Sequence, residues 1–258
     1  MTDISDRPLG HVIDNWIPPP LPGPPSLIGR WSRVEPLNAA RHGQALYNAL
    51  AGHDWVFDYL SERPFSDPGS YGAFLSDAAA RPDFRFVALC DASGTAFGLA
   101  SYMRMSPDVG VIEVGNICIA PSGQKSTKAT EALFLMMKWA FDVGYRRYEW
   151  KCNALNVPSR RAAQRLGFSY DGLFRKATIV KGRSRDTAWF SIINDEWPDL
   201  CKAFTHWLDP TNFTADGSQI ERLSALTSPF LVVCDPIVSR NDHYPEKTYF
   251  QNKPKADR

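Results

Sequence analysis

The residues best placed to do chemistry form the run Pro121-Ser122-Gly123-Gln124-Lys125-Ser126-Thr127-Lys128-Ala129. Small and polar side chains lead here from an apolar segment straight into a helical pattern. The first turn of a helix leaves backbone N–H groups unpaired, and its dipole favours an anion. A diphosphate suits such an end, with Lys125 and Lys128 adding point charges. The run has neither the GK[ST] ending of a Walker loop nor a GxGxxG dinucleotide fingerprint. Taken alone the signal is weak, because many helices start after small polar residues without binding anything.

A second run strengthens the first. Asn156-Val157-Pro158-Ser159 opens a short helix, and Leu166-Gly167-Phe168 closes it. Of the five cysteines, four sit in apolar stretches and none forms a CxxC pair. Buried free thiols are the expectation, rather than a metal site or a disulfide framework. No histidine neighbours Cys118 or Cys152 in the sequence, so neither reads as a nucleophile.

These runs need elements to hold them. Residues 30–37 read as a strand and 38–51 as a helix capped by Asn38. Asp67-Pro68 starts a helix that runs to about residue 80. Residues 84–90 and 96–105 form a hairpin around Asp91-Ala92-Ser93-Gly94. A third strand spans 109–120. Apolar residues Ala129, Leu133, Met136, Met137 and Ala140 recur at helical spacing over 127–143, and Gly144 ends that helix. Residues 147–152 are a strand, 158–166 a short helix, 168–181 and 186–193 a second hairpin, and 196–208 a closing helix. The strand–helix–strand unit in the middle implies two parallel strands with a right-handed crossover. The fold class is therefore α/β (α+β): a mixed, mostly antiparallel sheet with helices on both faces.

The two runs together resemble the GNAT acetyltransferases. Asn156-x-x-Ser159 with Leu166-Gly167-Phe168 is similar to the family's N-x-x-S-x6-L-G-F pattern, and Gln124-x-x-Thr127-x-Ala129 to its Q/R-x-x-G-x-G/A pyrophosphate signature, with Thr127 in place of a glycine. Arg185-Asp186 and Glu196-Trp197-Pro198 resemble the ribosomal-protein N-terminal acetyltransferase branch. The resemblance covers roughly residues 30–208 and implies acetyl-CoA as co-substrate, with its pantetheine arm between two splayed parallel strands. It implies backbone contacts from Ile117, Cys118 and Ile119, and pyrophosphate contacts from the amides of Gln124, Lys125, Ser126, Thr127, Lys128 and Ala129. Asn156 would bond the pantetheine and Ser159 would sit near the sulfur.

Acyl transfer to an amine needs a deprotonated amine, a polarised thioester and a proton for the leaving thiolate. Glu113 is the candidate base, or else a solvated strand-edge glutamate. Asn116 would orient acceptor or carbonyl, or bond a neighbouring loop. Ser159 would donate the proton, or cap its helix with Asn156. Tyr170 is an alternative acid, or a packing residue. His53, Asp54 and Trp55 would form a polar-aromatic wall for a cationic amine, or an ordinary surface loop.

The 258 residues carry a net charge of +1, which supplies no basic field for nucleic acid. No apolar run approaches the ~20 residues of a membrane span, and the polar first ten residues lack a signal core. A cytoplasmic enzyme is expected, as a monomer or homodimer, with three parts: a Pro-rich arm (1–29), the acyltransferase domain (30–208) and a C-terminal extension (209–258) with a mobile end. The arm and extension could cover the site, which favours a small-molecule amine as acceptor. A protein N-terminus, or a non-catalytic CoA-binding module on the same fold, are the alternatives.

Overall fold

The computed structural model describes residues 9–23 and 26–238. The expected mobile end at 240–258 therefore lies outside the described residues, as do Pro24 and Pro25 of the arm. One eight-stranded sheet runs in the order β1-β2-β3-β4-β5-β6-β8-β7. Its strands are β1 (Leu27–Ile28), β2 (Ser32–Pro36), β3 (Phe84–Asp91), β4 (Ala96–Ser106), β5 (Val111–Ile119), β6 (Arg147–Asn153), β7 (Ser169–Val180) and β8 (Arg183–Ile193). Only β5 and β6 pair in parallel; every other neighbour is antiparallel. The mixed sheet expected from the sequence is thus observed.

The helices start where the sequence offers caps. Asn38 accepts from the Arg41 N–H at the start of α1 (Ala39–Leu50), and Asp67 from the Ser70 N–H at the start of α2 (Pro68–Ala80). Ser126 accepts from the Ala129 N–H at the head of α3 (Thr127–Asp142). Asn156 accepts from the Ser159 N–H at the head of α4 (Val157–Arg165). Two further helices, α5 (Trp197–Trp207) and α6 (Leu223–Thr227), complete the set. Each cap satisfies an amide that the helix itself cannot.

The sheet divides two cores. On one face α1 and α2 bury Leu46, Leu50, Tyr71 and Leu75 against Ala88, Cys90 and Leu99. On the other, α3 and α5 pack Leu133, Met137, Leu200 and Phe204 against Tyr102, Ile112 and Tyr148. Beneath α1, Glu35, His42 and Cys90 form a buried trio. The Asn38 N–H donates to His42 Nδ1, so the ring proton sits on Nε2, 3.2 Å from Glu35 Oε2. Both ring nitrogens are thereby used within the fold.

Gly167 shows how tightly α4 meets the second core. Its φ is +90°, and a Cβ would come 2.5 Å from Leu200 Cδ2. Gly167→Ala is expected to cost about 2–4 kcal/mol, combining left-handed strain with overpacking. A urea titration checks this; a change below 1 kcal/mol would show that the helix end can shift.

The described parts of the arm and of the segment after α5 both lie on this framework. In the arm, the Tyr145 hydroxyl donates to Pro20 O at 3.1 Å, and the Trp16 ring lies against Gly110. Beyond α5, Leu223, Thr227 and Asp235 are buried. Arg160 and Asp235 form a bidentate pair, 2.6 Å in each arm.

Candidate active site

Strands β5 and β6 are in register only from Val111↔Arg147 to Val114↔Trp150. Beyond that point they diverge. The cause is local: between Gly115↔Ser101 and Cys118↔Leu99, two β5 residues oppose one on β4. This bulge holds Asn116 at φ +51°, a conformation asparagine tolerates better than most residues. The Asn116 amide donates to Ser101 Oγ at 2.9 Å, fixing the bulge to β4. A bulge bends its strand and disrupts the ladder, here opening the edge of Ile117 towards β6.

The gap belongs to a cleft of about 800 Å³. Glu113, Asn116, Ile117, Asn156 and Ser159 line it together. Cys118 and Ile119 continue β5 beyond the gap. The solvated strand-edge alternative for Glu113 is corrected: its side chain is only 1% exposed, because β5 is a central strand. Its Oε2 lies 3.3 Å from Arg104 Nε and 3.2 Å from Lys151 Nζ, close enough for ion pairing but not aligned for hydrogen bonds. Burial pushes its pKa up to about 7, against the pull of Lys151 and Arg104. A carboxyl so placed can hold or release a proton near neutrality.

Arg104 reaches Glu113 through a second irregularity. Arg104 and Met105 on β4 oppose Ile112 alone, and Arg104 has φ +46°. The bulge puts both Met103 and Arg104 on the cleft. Alternation along β4 would have separated them, so the sequence pattern gave no sign of Arg104. Glu149, directly opposite Glu113 in the parallel register, was missed for another reason: it is a pairing of distant strands. Glu149 bonds Arg147, which also reaches Asp171.

Ser159 Oγ accepts from Trp150 Nε1 at 3.1 Å. Indole N–H can only donate, so the serine's own hydrogen is left for the sulfur of Cys152, to which Ser159 also bonds, or for a ligand. Burial raises the Cys152 thiol to about 11 and the Cys118 thiol to about 12, which makes poor nucleophiles of both. Tyr170 packs edge-on to Phe190, and its N–H bonds Val233 O.

The loop before α3 keeps its amides open. Gln124 turns its side chain back to Ile119 O at 2.9 Å. The backbone N–H groups of Lys125, Ser126, Thr127 and Lys128 have no partner among the described residues. The left-handed position falls on Lys125 (φ +55°), not on Thr127, which starts the helix. The β-branched residue is therefore accommodated without positive φ. Lys128 lies over the Phe97 ring at 4.6 Å. Four free amides and two lysines fit a diphosphate.

The expected acceptor wall is also corrected. His53 precedes a 3-10 turn, Asp54–Phe57, that drives Phe57 into the α1–α2 core. His53, Asp54 and Trp55 do not line the cleft; Asp54 lines a separate hollow beside Tyr47 and Phe65. The same connection instead presents Tyr59, Leu60 and Ser61 to the cleft, opposite Phe174, Thr178 and Trp189 of the β7–β8 hairpin. Lys181 at the hairpin tip donates to Phe57 O at 2.7 Å, tying the two walls together.

A single splayed parallel pair, in an otherwise antiparallel sheet, with an anion-receptive helix start at its end, defines an acetyltransferase class of fold. The family described as "Acetyltransferase (GNAT) domain" matches residues 34–169, and the chain belongs to it. A GCN5-related N-acetyltransferase from Brucella melitensis is 43% identical, with a TM-score of 0.81, covering 84% of this chain and 100% of its own. A GNAT-family protein from Chromobacterium violaceum is 35% identical, with a TM-score of 0.71, covering 74% and 98%. The Salmonella typhimurium acetyltransferase that modifies the N-terminal serine of ribosomal protein L7/L12 shares the fold at 17% identity, with a TM-score of 0.56, covering 64% and 96%. No curated protein matches the sequence. No helix among the described residues is long and apolar enough to cross a membrane.

Proposed function

We propose that this protein transfers the acetyl group of acetyl-CoA to the primary amine of a small molecule by direct attack. The observation that carries the reading is Glu113: a buried carboxyl with a pKa near 7, at the point where β5 and β6 part. The donor's diphosphate would rest on the amides of residues 125–128, and its pantetheine arm would run between Ile117–Ile119 and Asn156. Ionised Glu113 takes a proton from the acceptor ammonium. The freed amine attacks the thioester carbonyl carbon, and the C–S bond breaks as the C–N bond forms. The nitrogen's surplus proton passes to the departing thiolate by way of the Ser159 hydroxyl, which gives its own hydrogen to the sulfur and takes that one in its place. Arg104 and Lys151 hold the Glu113 carboxylate at the cleft wall and moderate the penalty of its burial.

Three features support a small acceptor. The cleft is walled by residues 59–61 on one side and the β7–β8 hairpin on the other. The Lys181–Phe57 bond ties those walls. The expected acceptor wall at His53–Trp55 is replaced by Tyr59, Leu60 and Trp189, which line a cleft rather than a flat surface. The test is release of free thiol from acetyl-CoA across a panel of small amines and N-terminal peptides. Turnover with small amines but not peptides is expected. Turnover with peptides alone would overturn the small-acceptor reading, and CoA binding without any turnover would leave a binding module.

A further inference from the structure

A second hollow, of about 380 Å³, adjoins the loop before α3. Lys125 and Thr127 form its edge. Arg165 at the end of α4, Trp207 at the end of α5, and Ser218, Gln219 and Arg222 from beyond α5 complete it. No carboxylate lines it, and three cations do. None of the three makes an ion pair among the described residues.

Arg165 is the informative one. Its guanidinium lies 5.1 Å from the Trp207 ring and donates to Thr130 Oγ1 at 3.1 Å. Burial, with no opposing acid, holds its pKa below the usual arginine value. A half-buried cation without a carboxylate is costly to the folded protein. An anionic ligand would remove that cost.

The wall that carries Arg222 is built, not trailing. Trp207 Nε1 donates to Gln219 Oε1 at 2.9 Å, and the Asn212 side chain donates to Trp207 O and Glu221 O. The Glu221 N–H returns a bond to Asn212 Oδ1 at 2.8 Å. Phe213 packs edge-on against both Trp31 and Trp207. Arg222 follows directly and ends on the hollow.

We propose that the segment after α5 completes a subsite for the 3′-phosphate of the coenzyme A donor, with Arg222, Arg165 and Lys125 as its cations. The inference rests on the reading that the donor is an acyl-CoA whose diphosphate occupies the amides of residues 125–128. From there the donor's remaining charge is a single phosphate on the ribose, and the hollow shares Lys125 and Thr127 with the diphosphate loop. An uncharged ribose or base would give no reason for three unpaired cations and no acid.

Isothermal titration of the full chain with CoA and with dephospho-CoA, which lacks only that phosphate, tests the subsite without turnover. The wild-type protein should bind CoA about tenfold or more tighter, the scale of a charge-assisted contact. Arg222→Gln should weaken CoA towards the dephospho-CoA value and leave dephospho-CoA unchanged. Arg222→Lys should keep part of the preference. Equal wild-type binding of both ligands, or an Arg222→Gln loss common to both, overturns the subsite while leaving the donor reading standing. Binding of neither ligand removes the donor reading and the subsite with it.

Discussion

Glu113→Gln is expected to lower kcat/KM for the acceptor amine by about 100- to 10,000-fold at pH 8, the usual contribution of a positioned general base. Affinity for CoA should not change, because Glu113 stands on the paired part of β5, short of the residues proposed to hold the pantetheine. The wild-type rate should rise with pH through about 7, where Glu113 loses its proton. That limb should vanish in the variant. Stability should move the other way. The folded pKa lies above the ordinary 4.5, so the folded state binds more protons than the unfolded chain between pH 4.5 and 7. Stability therefore falls as pH rises through that window. Glutamine escapes the penalty. Glu113→Gln should be more stable than wild type at pH 8 by on the order of 3 kcal/mol, at about 1.4 kcal/mol per pH unit, and no more stable below pH 4.5. Paired rate and urea-denaturation profiles read both effects. Full activity with an unshifted pH limb would remove Glu113 from the chemistry.

Asp235→Ala is expected to destabilise the protein by about 3–5 kcal/mol, because it leaves a buried arginine without its counter-ion. Arg160 is 2% exposed and Asp235 fully buried. Among the described residues, the one remaining hydrogen-bond partner of Arg160 would be Ala154 O, at 2.9 Å. Replacing both partners with apolar residues, as Arg160→Met with Asp235→Leu, should recover most of the loss, since neither charge is then stranded. Chemical denaturation of the single and double variants gives the coupling directly. A loss under 1 kcal/mol for Asp235→Ala would mean that water reaches Arg160 and that residues 231–237 are loosely held.

Much of the frame is legible in local patterns. The caps at Asn38, Asp67, Ser126 and Asn156 are each one residue ahead of a helical run, and each bonds the amide three positions on. The loop before α3 could be read as anion-receptive because unpaired first-turn amides are a property of any helix start. Glu113 and Ser159 come together because β5 and β6 flank one crossover. The acceptor side resisted such reading. His53 and Trp55 look like a polar-aromatic wall, but the 3-10 turn buries Phe57 and hands the cleft to Tyr59 and Leu60.

The order of strands and helices therefore carried the fold class, and the loop before α3 with the Asn156–Phe168 run carried the family resemblance and an anion-receptive helix start. Those features are local, and a short stretch of sequence contains all the atoms that make them. The environment of Glu113 is different. Its neighbours Arg104, Glu149 and Lys151 come from β4 and β6, and a bulge in β4 decides that Arg104 faces it. Period-two alternation cannot foresee a bulge, and a carboxyl's pKa depends on burial that only the assembled sheet supplies. The same holds for Arg160 and Asp235, 75 residues apart: each looks like an ordinary surface charge until α4 and the chain's last described turn close over both.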